Sequence, residues 1–169
     1  MHIASSRIVV TLCLIGSVAC AGEYITRQIT MLTVSFKIPQ RLSVETEGID
    51  GTDEIVAMRA GKCATMYCPP IVMAWECRDN AEPLCADLRM LPPAEFCSDT
   101  AARSVLHRTG LKETRWVCPT TDDGDGPQQE GFSVFDLKSG KLVVSYLGGR
   151  ADVSPDAFFD GVALSMKEK

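Results

Sequence analysis

Little in this sequence can carry chemistry unaided. Of its two histidines, only His107 lies beyond the first few residues. There is no C-x-x-C pair and no G-x-S-x-G, so the usual zinc ribbon and serine-hydrolase arrangements have no footing. Phosphate-binding loops, dinucleotide fingerprints and aromatic-basic stacking patches are also missing. No run after the N-terminal segment approaches the ~20 apolar residues that a membrane-spanning helix needs. Positive charge is scarce too: 17 basic residues face 22 acidic ones, a net charge of −5. That balance argues against nucleic acid and anionic membrane as partners, and no cofactor or metal is expected.

What is present begins with an export signal over residues 1–21. Arg7 supplies a positive start, Ile8 to Ile15 a short apolar run, and Ala19-Cys20-Ala21 a small-x-small cleavage site before Gly22. Lipidation of Cys20 is the other reading of this segment, but a lipobox prefers Leu where this chain has Ser17. Cleavage of the 169-residue chain leaves one α+β domain over residues 22–169, 148 residues long. Arg7 departs and no acid does, so −5 becomes −6. The expected location is the periplasm.

Export sets the chemistry of the cysteines. Cys13 and Cys20 leave with the signal; Cys63, Cys68, Cys77, Cys85, Cys97 and Cys118 remain. An even count in an oxidising compartment reads as disulfides, and six cysteines allow 15 connectivities. All six fall in the middle of the chain, which is rich in Pro and poor in clean periodicity. Bridges would staple that part.

The periodicity predicts a mostly antiparallel sheet with helices packed on it. Leu32, Val34, Phe36 and Ile38 alternate in one strand over Ile29 to Ile38, and Pro39 ends it. Leu42 and Val44 continue it briefly to a turn at Gly48-Ile49-Asp50-Gly51. Glu54 to Arg59 and Ile71 to Cys77 follow as strands, the latter with Val72, Ala74 and Glu76 on one face. Pro92-Pro93 opens a predicted helix whose strongest part is Asp99 to His107, with Gly110 as its C-terminal cap. Thr114 to Cys118 is another strand. Gly131–Lys138 and Lys141–Leu147 form a hairpin about Ser139-Gly140, and Gly148-Gly149 breaks its second strand. Ser154, Pro155 and Asp156 start a last helix whose apolar stripe is Phe158, Val162 and Met166, with Phe159 and Ala163 beside it.

Candidate sites are few. His107 would need a nucleophile to be catalytic; at a helix end its charged form is explained by the dipole alone. Glu76 is the one acid on an element expected to be buried. Thr120 to Gly131 reads as a polar loop holding Asp122, Asp123, Asp125, Gln128, Gln129 and Glu130. It lacks the ligand spacing and final bidentate Glu of a calcium-hand loop, so it reads as solvated. A loop of about 12 residues in a compact domain is usually a binding loop or unstructured. These six residues are the predicted partner-binding site, with no catalytic set.

Two resemblances extend this. Val34-Ser35-Phe36-Lys37-Ile38-Pro39, with Leu142 to Leu147, Phe158-Phe159 and Leu164-Ser165-Met166-Lys167, resembles the opening strand and the closing strand and helix of Mog1/PsbP/DcrB-type α+β domains. That likeness covers the two ends of the chain and implies a binding or assembly factor of the cell envelope. The whole profile (exported, acidic, cysteine-containing, without an active-site motif) resembles the periplasmic immunity proteins of Gram-negative type VI secretion effectors. It implies a non-enzymatic protein that occludes a toxic partner such as a peptidoglycan hydrolase.

Overall fold

The computed structural model describes residues 26–49, 52–59, 69–77, 102–122, 127–150 and 152–169. Among these the fold is α+β and dominated by antiparallel sheet. β1 (Thr26–Thr30) and β2 (Val34–Pro39) form a hairpin. β3 (Leu42–Ile49), β4 (Thr52–Arg59) and β5 (Ile71–Cys77) follow as a meander. β6 (Arg103–Leu106), β7 (Lys112–Val117) and the short β8 (Thr121–Asp122) precede β9 (Pro127–Leu137) and β10 (Gly140–Gly149). Helix α1 (Pro155–Ser165) and the two-residue β11 (Lys167–Glu168) close the chain.

The large sheet runs β3-β4-β5-β10-β9-β7-β6, with β8 alongside β9; the small one runs β1-β2-β11. The small sheet and α1 cover one face of the large sheet. Their shared core holds Phe36 and Ile38 of β2, Val72 and Ala74 of β5, Phe135 of β9, Leu142, Val144 and Tyr146 of β10, and Phe159 and Val162 of α1. On the opposite face Trp75, Cys77, Phe132 and Val143 are buried, with Phe132 between Trp75 and Trp116 at centroid separations of 6.0 and 5.6 Å.

Several expectations hold. β5 spans Ile71 to Cys77, and Val72, Ala74 and Glu76 share its core face. Residues Leu137 and Gly140 pair across the predicted hairpin turn. Ser154 caps α1, its hydroxyl accepting from the Ala157 N–H, with Pro155 in the first turn. Phe158, Phe159, Val162 and Ala163 form the buried stripe, while Met166 caps the helix and is only partly buried.

Others are corrected. The strand expected over Ile29 to Ile38 is two strands. The Met31 N–H donates to the Val34 carbonyl, and Leu32 at the turn is 48% exposed. The Glu76 carboxylate drives this reversal from β5, accepting the N–H groups of Thr33 and Val34 at 2.9 and 3.0 Å. The described part of the helix expected to His107 is strand instead. Arg103–Leu106 pairs antiparallel with β7, and Val105 turns inward while Leu106 is 72% exposed. The apolar spacing of Ala102, Val105 and Leu106 suits either structure, and long-range pairing decides it. Gly110 is left-handed as expected, at φ 84°, but it serves a hairpin turn closed by His107 N–H to Leu111 C=O and Gly110 N–H to His107 C=O. β10 also runs through Gly148 and Gly149, which pair with Gln129 and Gln128. A Cβ at Gly148 would lie 2.7 Å from the Tyr146 hydroxyl oxygen, so close approach of that ring, not a break, calls for glycine.

Candidate functional site

The predicted partner-binding residues do not form one free loop. Thr121 and Asp122 pair with Gln128 and Pro127, so β8 and the start of β9 make a narrow two-stranded ribbon. Asp123 and Asp125 lie outside the described residues. Gln128, Gln129 and Glu130 belong to β9, all partly buried and paired on the β10 side with Gly149, Gly148 and Leu147. Period-two alternation puts Gln128 and Glu130 on one face and Gln129 on the other. Of the six residues expected on one loop over Thr120 to Gly131, the four that are described thus lie in strands, Asp122 in β8 and Gln128, Gln129 and Glu130 in β9.

Glu130 shows the consequence. Burial raises its carboxyl above the ordinary range. The folded chain therefore holds this proton more tightly than the unfolded chain, and the ionised group costs stability at neutral pH. That cost fades as pH falls through the raised folded value and is gone below the unfolded carboxyl value of about 4.3. Glu130→Gln is expected to raise the melting temperature at pH 7, with the gain closing toward pH 4. A lower melting temperature for the variant at pH 7 would contradict the assignment.

Two of the six cysteines are described. Cys77 ends β5, and the Cys118 N–H donates to the Glu130 carbonyl just past β7. Both are disulfide-bonded. Cys63, Cys68, Cys85 and Cys97 lie outside the described residues.

The densest polar cluster among the described residues lies between β7 and α1. Glu113 and Arg115 alternate on the inner face of β7, opposite Phe135 and Ser133 of β9. Both are 3% exposed. The Arg115 Nε and Nη2 donate to Glu113 at 2.5 and 2.8 Å. The same guanidinium reaches α1, with Nη1 2.8 Å from Asp156 and Nη2 2.7 Å from Asp160. Arg103 on β6 also bonds Asp156, at 2.7 Å. The Ser133 hydroxyl donates to Glu113, and His107 Nε2 lies 2.5 Å from its other oxygen.

This cluster joins strand to helix. Burial alone would push Glu113 and Asp156 up. Donors reverse that: Arg115, Ser133 and His107 for Glu113, Arg115 and Arg103 for Asp156, so both carboxyls sit below their ordinary range. Arg115 is held more firmly protonated by the same contacts, against the effect of burial. The traces in the sequence are slight: a Glu-x-Arg on one strand face and two aspartates four apart on one helix face.

His107 therefore has a different explanation from the helix end expected for it. Its ring is set by Glu113 from the turn after β6, and its side chain is only 10% exposed. Nor do His107, Glu113 and Ser133 match a nucleophile–base–acid relay. In such a relay the imidazole stands between hydroxyl and carboxylate; here the carboxylate stands between hydroxyl and imidazole. The geometry suits a structural ion cluster.

Among the described residues no group of three or more His, Cys, Asp or Glu is placed to hold a metal ion, and no helix is long and apolar enough to cross a membrane. No family model matches the chain, and no curated protein sequence matches it.

Proposed function

We propose that the chain is an exported binding protein that neutralises a partner by steric occlusion, an immunity protein against a toxic hydrolase of the periplasm. The β8–β9 ribbon carries this reading. Its described pairs end at Asp122 and Pro127, and the sequence between them is Asp123-Gly124-Asp125-Gly126. Three carboxylates thus fall within four consecutive positions, with no basic residue between them. The ribbon is an extension of β9, an 11-residue strand held between β7 and β10. A strand pair joined through so acidic a sequence suits contact with a basic cleft, such as one that holds an anionic cell-wall polymer. A three-bridge cysteine framework would keep the exported chain stable without a partner.

Charge pairing of this kind acts mainly on association rate and weakens as salt rises. Against the partner captured from periplasm, Asp122→Asn/Asp123→Asn/Asp125→Asn is expected to slow association about tenfold and to flatten its salt dependence. The melting temperature should stay unchanged. Unaltered affinity and salt dependence would remove the ribbon from the interface. Capture of an envelope assembly component in place of a hydrolase would favour the assembly-factor reading.

A further inference from the structure

We propose that β3 is an open docking edge. It takes, as an added strand, an extended segment of a partner protein in which basic residues alternate with apolar ones.

The backbone carries the first part. β3 ends the large sheet, and among the described residues it pairs with β4 alone. In such a strand alternate residues turn their N–H and C=O groups away from the neighbour. Edges of this kind are commonly kept short, bulged, interrupted by proline or lined with lysine. β3 has none of these devices. Its eight residues pair with β4 without a bulge, from Leu42↔Arg59 to Ile49↔Thr52, and include neither Pro nor Lys. The other outer strands, β6, β1 and β11, have four, five and two residues. One end of β3 is capped, where Arg27 Nη1 on β1 donates to the Leu42 carbonyl at 3.0 Å. The rest of the edge, from Ser43 onward, is left to a docked strand.

The side chains select the occupant. Leu42 and Val44 face the main core, Leu42 buried and Val44 only partly so. An apolar residue added beside Val44 would continue that core outward. Ser43 and Glu45 face the other way, and both are exposed. Val56 stands opposite Glu45, and Glu54 follows Val56 on that same face of β4. Neither carboxylate is in an ion pair or hydrogen bond among the described residues.

The charge around this edge has one sign. Residues 42–58 contain Glu45, Glu47, Asp50, Asp53 and Glu54, and no Lys, Arg or His. The flanking Arg41 and Arg59 lie at the Leu42 end of the strand pair, and Arg59 is held by Asp152. Basic side chains on the outward positions of an added strand would therefore stand beside Glu45, with Glu54 one strand further in. The same charges disfavour a second copy: self-pairing centred on Glu45 or Thr46 sets Glu45 against Glu45 or Glu47.

This edge is separate from the acidic ribbon. β4, β5 and β10 lie between β3 and β9, a span of about 19 Å at ~4.8 Å per strand.

The test is titration of the full exported chain with an acetylated seven-residue amide that alternates Lys and Val, read by amide hydrogen exchange. Alternate amides between Ser43 and Ile49, those not bonded to β4, should exchange at least roughly tenfold more slowly in the complex, with no change at β8. A peptide alternating Glu and Val should bind at least roughly tenfold more weakly. Glu45→Lys/Glu47→Lys should lower affinity for the basic peptide by about tenfold or more. It should not lower the melting temperature, because it removes the like-charge register pair of Glu47 with Glu54. Asp122→Asn/Asp123→Asn/Asp125→Asn should bind the basic peptide like the parent chain, so the edge and the ribbon can fail separately. Binding without alternate protection on β3, equal binding of the acidic peptide, or full binding by Glu45→Lys/Glu47→Lys would overturn the docking edge. Protection of the same amides in the free chain, rising with its concentration, would overturn the partner assignment in favour of a second copy.

Discussion

Glu113→Ala is expected to destabilise the folded chain by about 3–5 kcal/mol, the cost of removing one partner from a buried ion cluster. The carboxylate sits at the centre of that cluster. It accepts from Arg115 through two nitrogens, from Ser133, and contacts His107. Its loss leaves the Arg115 side chain, 4% exposed, with only the half-exposed Asp156 and Asp160 as counter-charges. A hydroxyl and an imidazole lose their common acceptor as well. Glu113→Leu/Arg115→Met, which removes both charges, should cost less than Glu113→Ala, because no buried charge is left unpaired. Urea denaturation at pH 7 measures both. A cost below about 1 kcal/mol for Glu113→Ala would show that the cluster does not anchor the helix.

The same cluster sets the acid response. Glu113 and Asp156 titrate lower in the folded chain than in the unfolded one. Between the folded and unfolded values the unfolded state holds more protons, so stability rises with pH there. The contribution is complete above the unfolded values, about 4.3 for Glu and 3.9 for Asp, and is lost as pH falls through the folded ones. Stability should therefore decline below about pH 4.5, and Glu113→Ala should decline less steeply. Glu130 works in the opposite sense and in the adjoining window above about pH 4.3, so the parent chain should gain stability on acidification toward that pH, while Glu130→Gln should lack this gain and share the decline below it.

What could be read from the sequence depended on how local the determining contacts are. Ser154, Pro155 and the stripe behind them specify α1 within a dozen residues. Ser139-Gly140 specifies the β9–β10 turn in the same way. The β1–β2 reversal is different. Its turn N–H groups are satisfied by Glu76, more than 40 residues away, and nothing between Met31 and Val34 announces it. The alternation on either side is genuine, but its phase slips by one: Ile29 and Met31 are buried, then Val34, Phe36 and Ile38. β6 is misread for a related reason. Four residues cannot show a period, and only pairing with β7 fixes their state. The ion cluster combines both difficulties, because Arg103, Glu113, Ser133 and Asp156 come from four elements. Each looks like an ordinary surface residue until the sheet order is known.

Phe159→Ala is expected to cost about 3–5 kcal/mol, the range for deleting a buried phenylalanine ring. Phe159 is fully buried. Its ring meets Tyr146 and Phe158 edge-on, at 6.5 and 5.6 Å, and the Arg115 guanidinium lies 5.5 Å from its centroid. Truncation therefore opens a cavity between helix and sheet and removes a cation–π contact from the ion cluster. Across from the ring lies Gly131. A Cβ there would come within 2.7 Å of Phe159 Cε2, 2.8 Å of Pro155 Cβ and 3.2 Å of the Trp116 carbonyl oxygen. Gly131→Ala alone should overpack this contact and cost about 1–3 kcal/mol. In Phe159→Ala/Gly131→Ala the closest clash disappears, and the new methyl fills part of the space that the ring vacates. The double variant should thus be more stable than the sum of the single losses predicts, by about 0.5 kcal/mol or more. The Pro155 and Trp116 contacts remain, so the rescue should be incomplete. Chemical denaturation of all four chains measures the coupling. Strict additivity would mean that the glycine is not there to admit the ring, and that some other contact sets the approach of α1 to β9.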